Sequence, residues 1–361
     1  MTRIFNFSAG PSILPVSVLE KVRDEFVDYQ GNGMSLVEMS HRGKVYDNVH
    51  NGCVALVREL LGVPENYKIL FLAGGATLQF GMIPMNFLWG GKTADFTLTG
   101  AWAQKACNDA KKIGKVSIVW DGKPGNYQDL PDPKTIKANP GSAYFHMTSN
   151  ETIGGVQWQS WPDTGKVPLF CDMSSDFMSR RFPIEKFSLV YAGAQKNAGP
   201  AGATIVILRE DLLKNCPESI VAYLDYRLHA KGNSLYNTPP VFTIWMIKLT
   251  LEWLKGKGGL PAAEKMAEER SKIIYDAIES SQGFYTCPVP RHCRSKMNLV
   301  FRMRTEQLES SFLEEAKKRK LEGLKGHRSV GGCRASVYNA MPVDGAKALA
   351  QLMADFAKRN G

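Results

Sequence analysis

The chain has 361 residues, is 44% hydrophobic and 22% charged, and carries a formal net charge of +10. That length accommodates one large unit with a smaller one, and the composition excludes a collagenous, disordered or disulfide-stapled chain. Its Lys and Arg are scattered along the chain, so the positive balance points to anionic small substrates, and no nucleic acid or membrane partner is expected.

The opening "MTRIFNFSAGPSILP" has no apolar run of the signal-peptide kind. "PVSVLEKVRDEFVDY" (15–29) sets Val18, Val22 and Phe26 four apart behind a proline, which predicts a helix. "YDNVHNGCVALVRELLG" (46–62) predicts a second, stopped by Gly62. "KILFLAGG" (68–75) is an apolar strand ending in paired glycines, and "ATLQFGMIPMNFL" restarts as helix. Residues 71–91 contain no charge, but five glycines, a proline, Gln79 and Asn86 argue for strand, turn and buried helix rather than a membrane span. "ADFTLTG" (94–100), "AWAQKACNDAKKIG" (101–114) and "KVSIVW" (115–120) read strand, helix, strand. Further buried strands are expected at 143–147, 168–173, 187–193 and 203–209. Apolar strands alternating with helices predict an α/β fold whose mostly parallel sheet is covered by helices.

"KGKGGLP" (255–261) breaks this pattern after the helix "PPVFTIWMIKLTLEWL". Beyond it a helix (262–281), a strand (298–303), a helix (306–320), a strand (333–339) and a closing helix (343–359) form an α+β unit. The expected division is a large cofactor-binding domain at 16–256, with 1–15 and 257–361 forming the smaller one.

Seven cysteines, odd in number and without a CxxC pair, read as reduced thiols, so a cytoplasmic location is expected. Six histidines make no HExxH or His/Cys ligand spacing, so no metal is expected.

"YAGAQKNAGPAG" (191–202) holds one cation, Lys196, among small residues with no carboxylate close by in sequence. It reads either as a solvated loop lysine or as a lysine whose amine is committed to a covalent bond. "LAGGATLQF" offers backbone N–H groups at a helix start, with Thr77 adding a hydroxyl: either a tight turn only or a phosphate cradle. It has neither the Lys of a P-loop nor GxGxxG. "PLFCDMSSDF" ends a strand on Asp172, and Trp102 follows another. Ligands of parallel α/β sheets bind at the carboxyl ends of strands. A phosphate anchor, a carboxylate, a lysine and an aromatic face on one edge are what pyridoxal 5′-phosphate needs. "SHRGK" and "GHRSVGGCR" each set His beside Arg among small residues, a pattern suited to anions.

"FNFSAGPSILP", "MSHRGK", "GGATLQF", "TSNETIGGVQW", "CDMSSDF", "YAGAQKNAGPAG", "NTPPVF" and "GHRSVGGCRASVYNA" together resemble the phosphoserine aminotransferase family, in class V of the fold-type I pyridoxal-phosphate enzymes. The resemblance implies a transaminase in which Lys196 carries the cofactor covalently and Asp172 pairs with its ring nitrogen. Trp102 would stack on the ring, Thr152 would contact its hydroxyl side, and Ala76, Thr77 and Gln195 would help hold it. Asn237 and Thr238 match residues that reach the cofactor phosphate from the other subunit of a homodimer. Arg334 matches the arginine that grips the substrate α-carboxylate, and His41, Arg42, His327 and Arg328 the group around the distal anion. The implied substrates are L-glutamate, 3-phosphohydroxypyruvate, phosphoserine and 2-oxoglutarate. The rival readings are the same chemistry on another phosphorylated keto acid or on alanine and glyoxylate, a cysteine desulfurase, which Cys333 in an expected strand opposes, and a non-enzymatic nucleic-acid binder suggested only by charge.

Overall fold

The computed structural model describes residues 3–361; Met1 and Thr2 lie outside the described residues. In chain order the elements are β1 (Phe5–Asn6), α1 (Val16–Glu25), α2 (Lys44–Leu61), β2 (Tyr67–Leu72), α3 (Gly75–Phe87), β3 (Thr93–Leu98), α4 (Ala101–Ile113) and β4 (Lys115–Asp121). There follow β5 (Phe145–Thr148), β6 (Leu169–Asp172), β7 (Leu189–Gly193), β8 (Thr204–Arg209), α5 (Tyr226–Lys231), α6 (Val241–Gly256) and α7 (Gly259–Glu279). The chain ends with β9 (Asn298–Phe301), α8 (Glu306–Lys318), β10 (Leu321–Glu322), β11 (Cys333–Ser336) and α9 (Val343–Asn360).

Seven strands form one sheet in the order β2-β8-β7-β6-β5-β3-β4. β8 is antiparallel to both its neighbours, β2 and β7, and every other pairing is parallel. The two reversals cancel, so β8 alone runs against the other six. The segments that follow β2, β3, β5, β6 and β7 therefore all leave the sheet at one edge, the edge that holds ligands in parallel α/β folds.

The strands are apolar on both sides because both faces are covered. Along β2, Ile69 and Phe71 enter one core while Leu70 and Leu72 enter the other; along β8, Ile205 and Ile207 oppose Val206 and Leu208 in the same way. On one face α3 contributes Phe80, Ile83 and Phe87. On the other, α6 contributes Ile244, Ile247, Leu251 and Leu254, and turns Trp245, Met246 and Leu249 toward a further cluster with α1 and α2. A helix apolar all round is a helix buried all round. It is not a membrane span, and no helix among the described residues is long and apolar enough to cross a membrane.

The expected elements are present, with ends shifted. The first helix stops at Glu25, earlier than its apolar spacing suggests, and α2 ends on Gly62 in the left-handed conformation, as expected. The break near residue 256 is a two-residue turn between α6 and α7 rather than a linker. A separate apolar cluster joins Phe7 and Ile13 to Ile274, Phe301, Phe312, Leu349 and Phe356, around the antiparallel pair β9–β11 and the parallel pair β1–β10. Leu260, Ala263 and Val300 pack instead into the core against the large sheet.

Candidate active site

Register places the site's polar groups before any side chain is considered. Thr148 and Asp172 face each other across β5 and β6 at the ends of those strands, and Asp172 pairs with Tyr191 on β7. Lys196 follows β7 by a short turn. The start of α3 follows β2, and Trp102 sits in the first turn of α4 after β3. Ala76, Thr77, Trp102, Asp172, Gln195 and Lys196 accordingly line one cavity, together with Thr148, Asn150, Ser174 and Ser175.

Lys196 is half-buried there, with its amine enclosed. Its Nζ donates to Thr152 Oγ1 (2.8 Å) and Ser175 Oγ (3.2 Å), and lies 5.8 Å from the centroid of the Trp102 ring. No carboxylate accepts from it among the described residues. Burial disfavours the ammonium and brings the amine down to about 8, against the pull of Asp172, Glu151 and Asp176. The neighbouring Arg334 charge lowers it further, and burial is the larger cause. The solvated-loop reading does not fit this enclosed amine, whose lowered pKa suits a nucleophile and base.

Asp172 is buried too. Burial raises its carboxyl, while the Lys196 charge and the Ser174 hydrogen bonds hold it down, including a backbone N–H at 2.8 Å. The next carboxylate, Asp176, is taken up by Ser149, by Gln157 Nε2 (3.1 Å) and by Arg180 Nη2 (2.9 Å). Asp172 is left as the carboxylate facing the cavity.

Whether these residues fit pyridoxal phosphate can be judged from what they leave open. No side chain caps α3. Its entry runs through Gly74 at φ +87°, where a Cβ would also sit 2.6 Å from Leu78, so the turn requires glycine and the helix's first amides stay available to an anion. Thr148 Oγ1 and Trp102 Nε1 are buried without a protein partner. An anion cradle, a buried carboxylate and a lowered lysine around one cavity fit the cofactor's phosphate, ring nitrogen and carbonyl carbon.

A second cavity adjoins the first and is lined by His327, Arg334, Arg302, Ile153 and Gly154. Arg334 Nη1 donates to the carbonyl of Thr152 at 3.1 Å, so one residue touches both the lysine and this arginine. Arg334 Nε is buried without a partner. His327 bonds Ser329 Oγ at 2.7 Å, and burial together with Arg334, Arg328 and Lys105 lowers its pKa. Arg328 is exposed and lines neither cavity. His41 is half-buried with its Nε2 unpartnered, Arg42 is exposed, and neither reaches these cavities within one chain. Asn237 and Thr238 are exposed as well, the Asn237 amide bonding only the Thr238 carbonyl (3.0 Å).

Four contributors escaped the sequence reading. Ser174 and Ser175 stand two and three residues beyond Asp172, a spacing that favours a local turn onto the carboxylate. Ser12 donates to the Lys196 carbonyl and its N–H to the Gln195 carbonyl (2.9 Å), a contact across the chain that no local signal marks. Glu151 is fully buried and accepts from Trp102 N (3.2 Å) and Ala103 N (3.0 Å), which anchors the turn carrying the Trp102 ring. A Cβ on Gly100 would lie 2.4 Å from the Glu151 carboxyl carbon, so that glycine makes room for the anchor.

Burial raises Glu151 from 4.5 to about 7 against those two backbone bonds. A carboxyl raised on folding stabilises fully below its unfolded value, and that stabilisation is lost as pH rises through the folded value. Glu151→Gln should therefore stabilise the cofactor-free protein more at about pH 8 than at about pH 5, by roughly 2–3 kcal/mol. Thermal melts of both proteins at the two pH values decide it; an equal difference at both would show that Glu151 does not titrate in this range.

Cys333 lies in β11, buried, with its thiol pushed up to about 12, which opposes a role as an exposed sulfur carrier.

The family model for aminotransferase class V matches residues 4–349. The phosphoserine aminotransferase of Lysinibacillus sphaericus (strain C3-41) is 50% identical over 358 residues, covering 99% of each chain. The chain belongs to the phosphoserine aminotransferase family, within class V. The solved structure of the family member from Bacillus circulans subsp. alkalophilus superposes with a TM-score of 0.98 at 50% identity, over 99% of both chains. That of the pyridoxal-phosphate-bound member from Trichomonas vaginalis gives 0.90 at 38%, over 98% of this chain and 100% of the other. The enzyme is a pyridoxal-phosphate-dependent transaminase of fold type I, and the cavity at Lys196 is where such a cofactor fits.

Proposed function

We propose that this transaminase moves the amino group of L-glutamate to 3-phosphohydroxypyruvate, giving O-phospho-L-serine and 2-oxoglutarate in two half-reactions. The observation that carries this reading is Thr152, which joins Lys196 to Arg334 and so sets a proton-moving amine beside a carboxylate-binding guanidinium. Lys196 holds the cofactor at rest, and its Nζ removes and returns the proton at the substrate α-carbon. Asp172 would keep the cofactor's ring nitrogen protonated, Trp102 would cover the ring, and Ala76, Thr77, Gln195 and Thr152 would hold it in place. When bound, pyridoxal phosphate supplies an electron sink for the bond broken at that carbon. Arg334 takes the α-carboxylate. His327, Arg328, His41 and Arg42 receive the distal anion, which explains a basic surface on an enzyme of anionic substrates.

The exposure of Arg42, Asn237 and Thr238, with the unpartnered Nε2 of half-buried His41, supports a homodimer in which these residues complete the site of the partner. A monomer that sediments as such and is fully active ends that part of the reading. Residues 16–256 would then form the cofactor-binding domain, with 1–15 and 257–361 the smaller one; the separate apolar clusters support this division. Relatives named for phosphoserine and seven unpaired cysteines support serine biosynthesis in the cytoplasm. The phosphorylated four-carbon keto acid of pyridoxine synthesis offers the same two anionic ends and is a candidate second substrate.

Loss of a charge-assisted hydrogen bond to a desolvated anion costs roughly 1.5–3 kcal/mol, about ten- to a hundredfold in rate. Arg42→Ala or Arg328→Ala should weaken phosphoserine and glutamate by that factor and leave alanine nearly unchanged. Arg334→Ala should weaken all three alike. The measurement is kcat/KM for each amino acid. If Arg42→Ala and Arg328→Ala lower alanine use as much as phosphoserine use, these residues do not read the distal anion.

A further inference from the structure

Away from the lysine, the fold brings together Asp129, His292 and Cys293, whose ligand atoms all lie within 4.8 Å of one another. We propose that they form a binding site for a zinc ion, with one carboxylate, one imidazole and one thiolate as ligands. His292 Nε2 and Cys293 Sγ approach the same atom, Asp129 Oδ1, at 3.0 and 3.5 Å. The two residues are consecutive in a 3₁₀ turn, Arg291–Cys293, where neighbouring side chains ordinarily diverge by about a third of a turn. Here they converge. Separations of this size are those between ligands of one tetrahedral ion, whose bonds run about 2.0–2.3 Å.

The surroundings agree. Leu130 N–H donates to Asp129 Oδ1 at 2.8 Å, which fixes the carboxylate from its own loop. The Leu130 carbonyl lies 3.4 Å from His292 Nε2. Asp129 and His292 are exposed and give an ion a way in, while Cys293 is buried and supplies the inner ligand. A mixed sulfur, nitrogen and oxygen set suits zinc over calcium or magnesium, and three protein ligands leave a fourth position to water. On binding, the Cys293 sulfur–hydrogen bond is replaced by a sulfur–zinc bond and the proton passes to solvent, with no change in oxidation state. The expectation that the chain has no metal site rested on spacing along the chain, which cannot reveal a ligand more than 160 residues away from its partners.

The ion would join two walls of the second cavity. Gln128 precedes Asp129 and Pro288 precedes the His292 turn, and both line that cavity. The site therefore staples the rim of the anion-binding region without touching Lys196.

The test uses tag-free holoenzyme titrated with Co²⁺ alone and then with Zn²⁺. Wild type should show the red absorption of tetrahedral cobalt, clear of the yellow cofactor, together with a sulfur-to-cobalt charge-transfer band. Zinc should displace it at one ion per chain. Asp129→Asn, His292→Ala and Cys293→Ser should each weaken binding by at least roughly tenfold. Cys287→Ser, the next thiol along the segment, should change nothing. Zinc should raise the melting temperature of wild type and not of the three ligand variants; the first two lie on the surface, so their folding is not at risk. Absence of tetrahedral cobalt bands, or binding that is unaltered in Asp129→Asn and His292→Ala, overturns the site and leaves an ion pair with a thiol donor.

Discussion

Lys196→Ala is expected to produce a colourless or loosely coloured protein with a turnover lower by roughly a hundredfold to ten-thousandfold or more. In the proposed function two losses coincide in one substitution: the covalent hold on the cofactor and the base that moves the α-proton. The change removes a buried amine whose partners, Thr152 Oγ1 and Ser175 Oγ, already bond each other at 2.7 Å, so the fold has no reason to fail. The check is the absorbance spectrum before and after glutamate, with a rate measured in parallel. Wild-type turnover in this variant, with the yellow band intact, would remove the lysine from both roles.

The second large effect belongs to Asp172→Asn. An asparagine keeps an oxygen for the Ser174 N–H, so the local turn survives, but it removes the carboxylate charge proposed to hold a protonated ring nitrogen. Loss of a buried charge-assisted bond predicts a rate lower by roughly ten- to a hundredfold at the least, with cofactor retained. A second readout separates this from general damage. In the cofactor-free protein the Asp172 charge props up the Lys196 ammonium, so the lysine of the cofactor-free variant should titrate below about 8. A pH titration that fails to move toward acid, or a rate like wild type, would show that the carboxylate does not act on the site.

Much of this site was legible because its parts sit at strand ends. Asp172, Lys196, Trp102 and the Gly74–Thr77 turn each follow an apolar strand, and parallel strands deliver their successors to a common edge. What the sequence could not show were the contacts that depend on crossing the chain. Ser12 meets Lys196 at the far end of a polypeptide loop, Glu151 meets the start of α4, and Asp129 meets His292 and Cys293. None has a periodic or short-range signature. Residues such as Arg42 and Asn237 are a different matter: a resemblance supplied their role, and within one chain they face solvent. The first helix was read too long because Phe26 continues the apolar spacing, yet it lies beyond the helix's last residue.

The contact of Ser12 has a mechanical consequence. Residues 5–12 lie in series between two parts of the molecule. At one end β1 pairs with β10, a few residues ahead of His327, and Phe7 is set in the smaller core. At the other end Ser12 grips the backbone of Gln195 and Lys196. A displacement of the smaller core would be carried along this short strip of chain to the main chain of the lysine. The strip thus links the segment before His327 to the backbone that carries the amine.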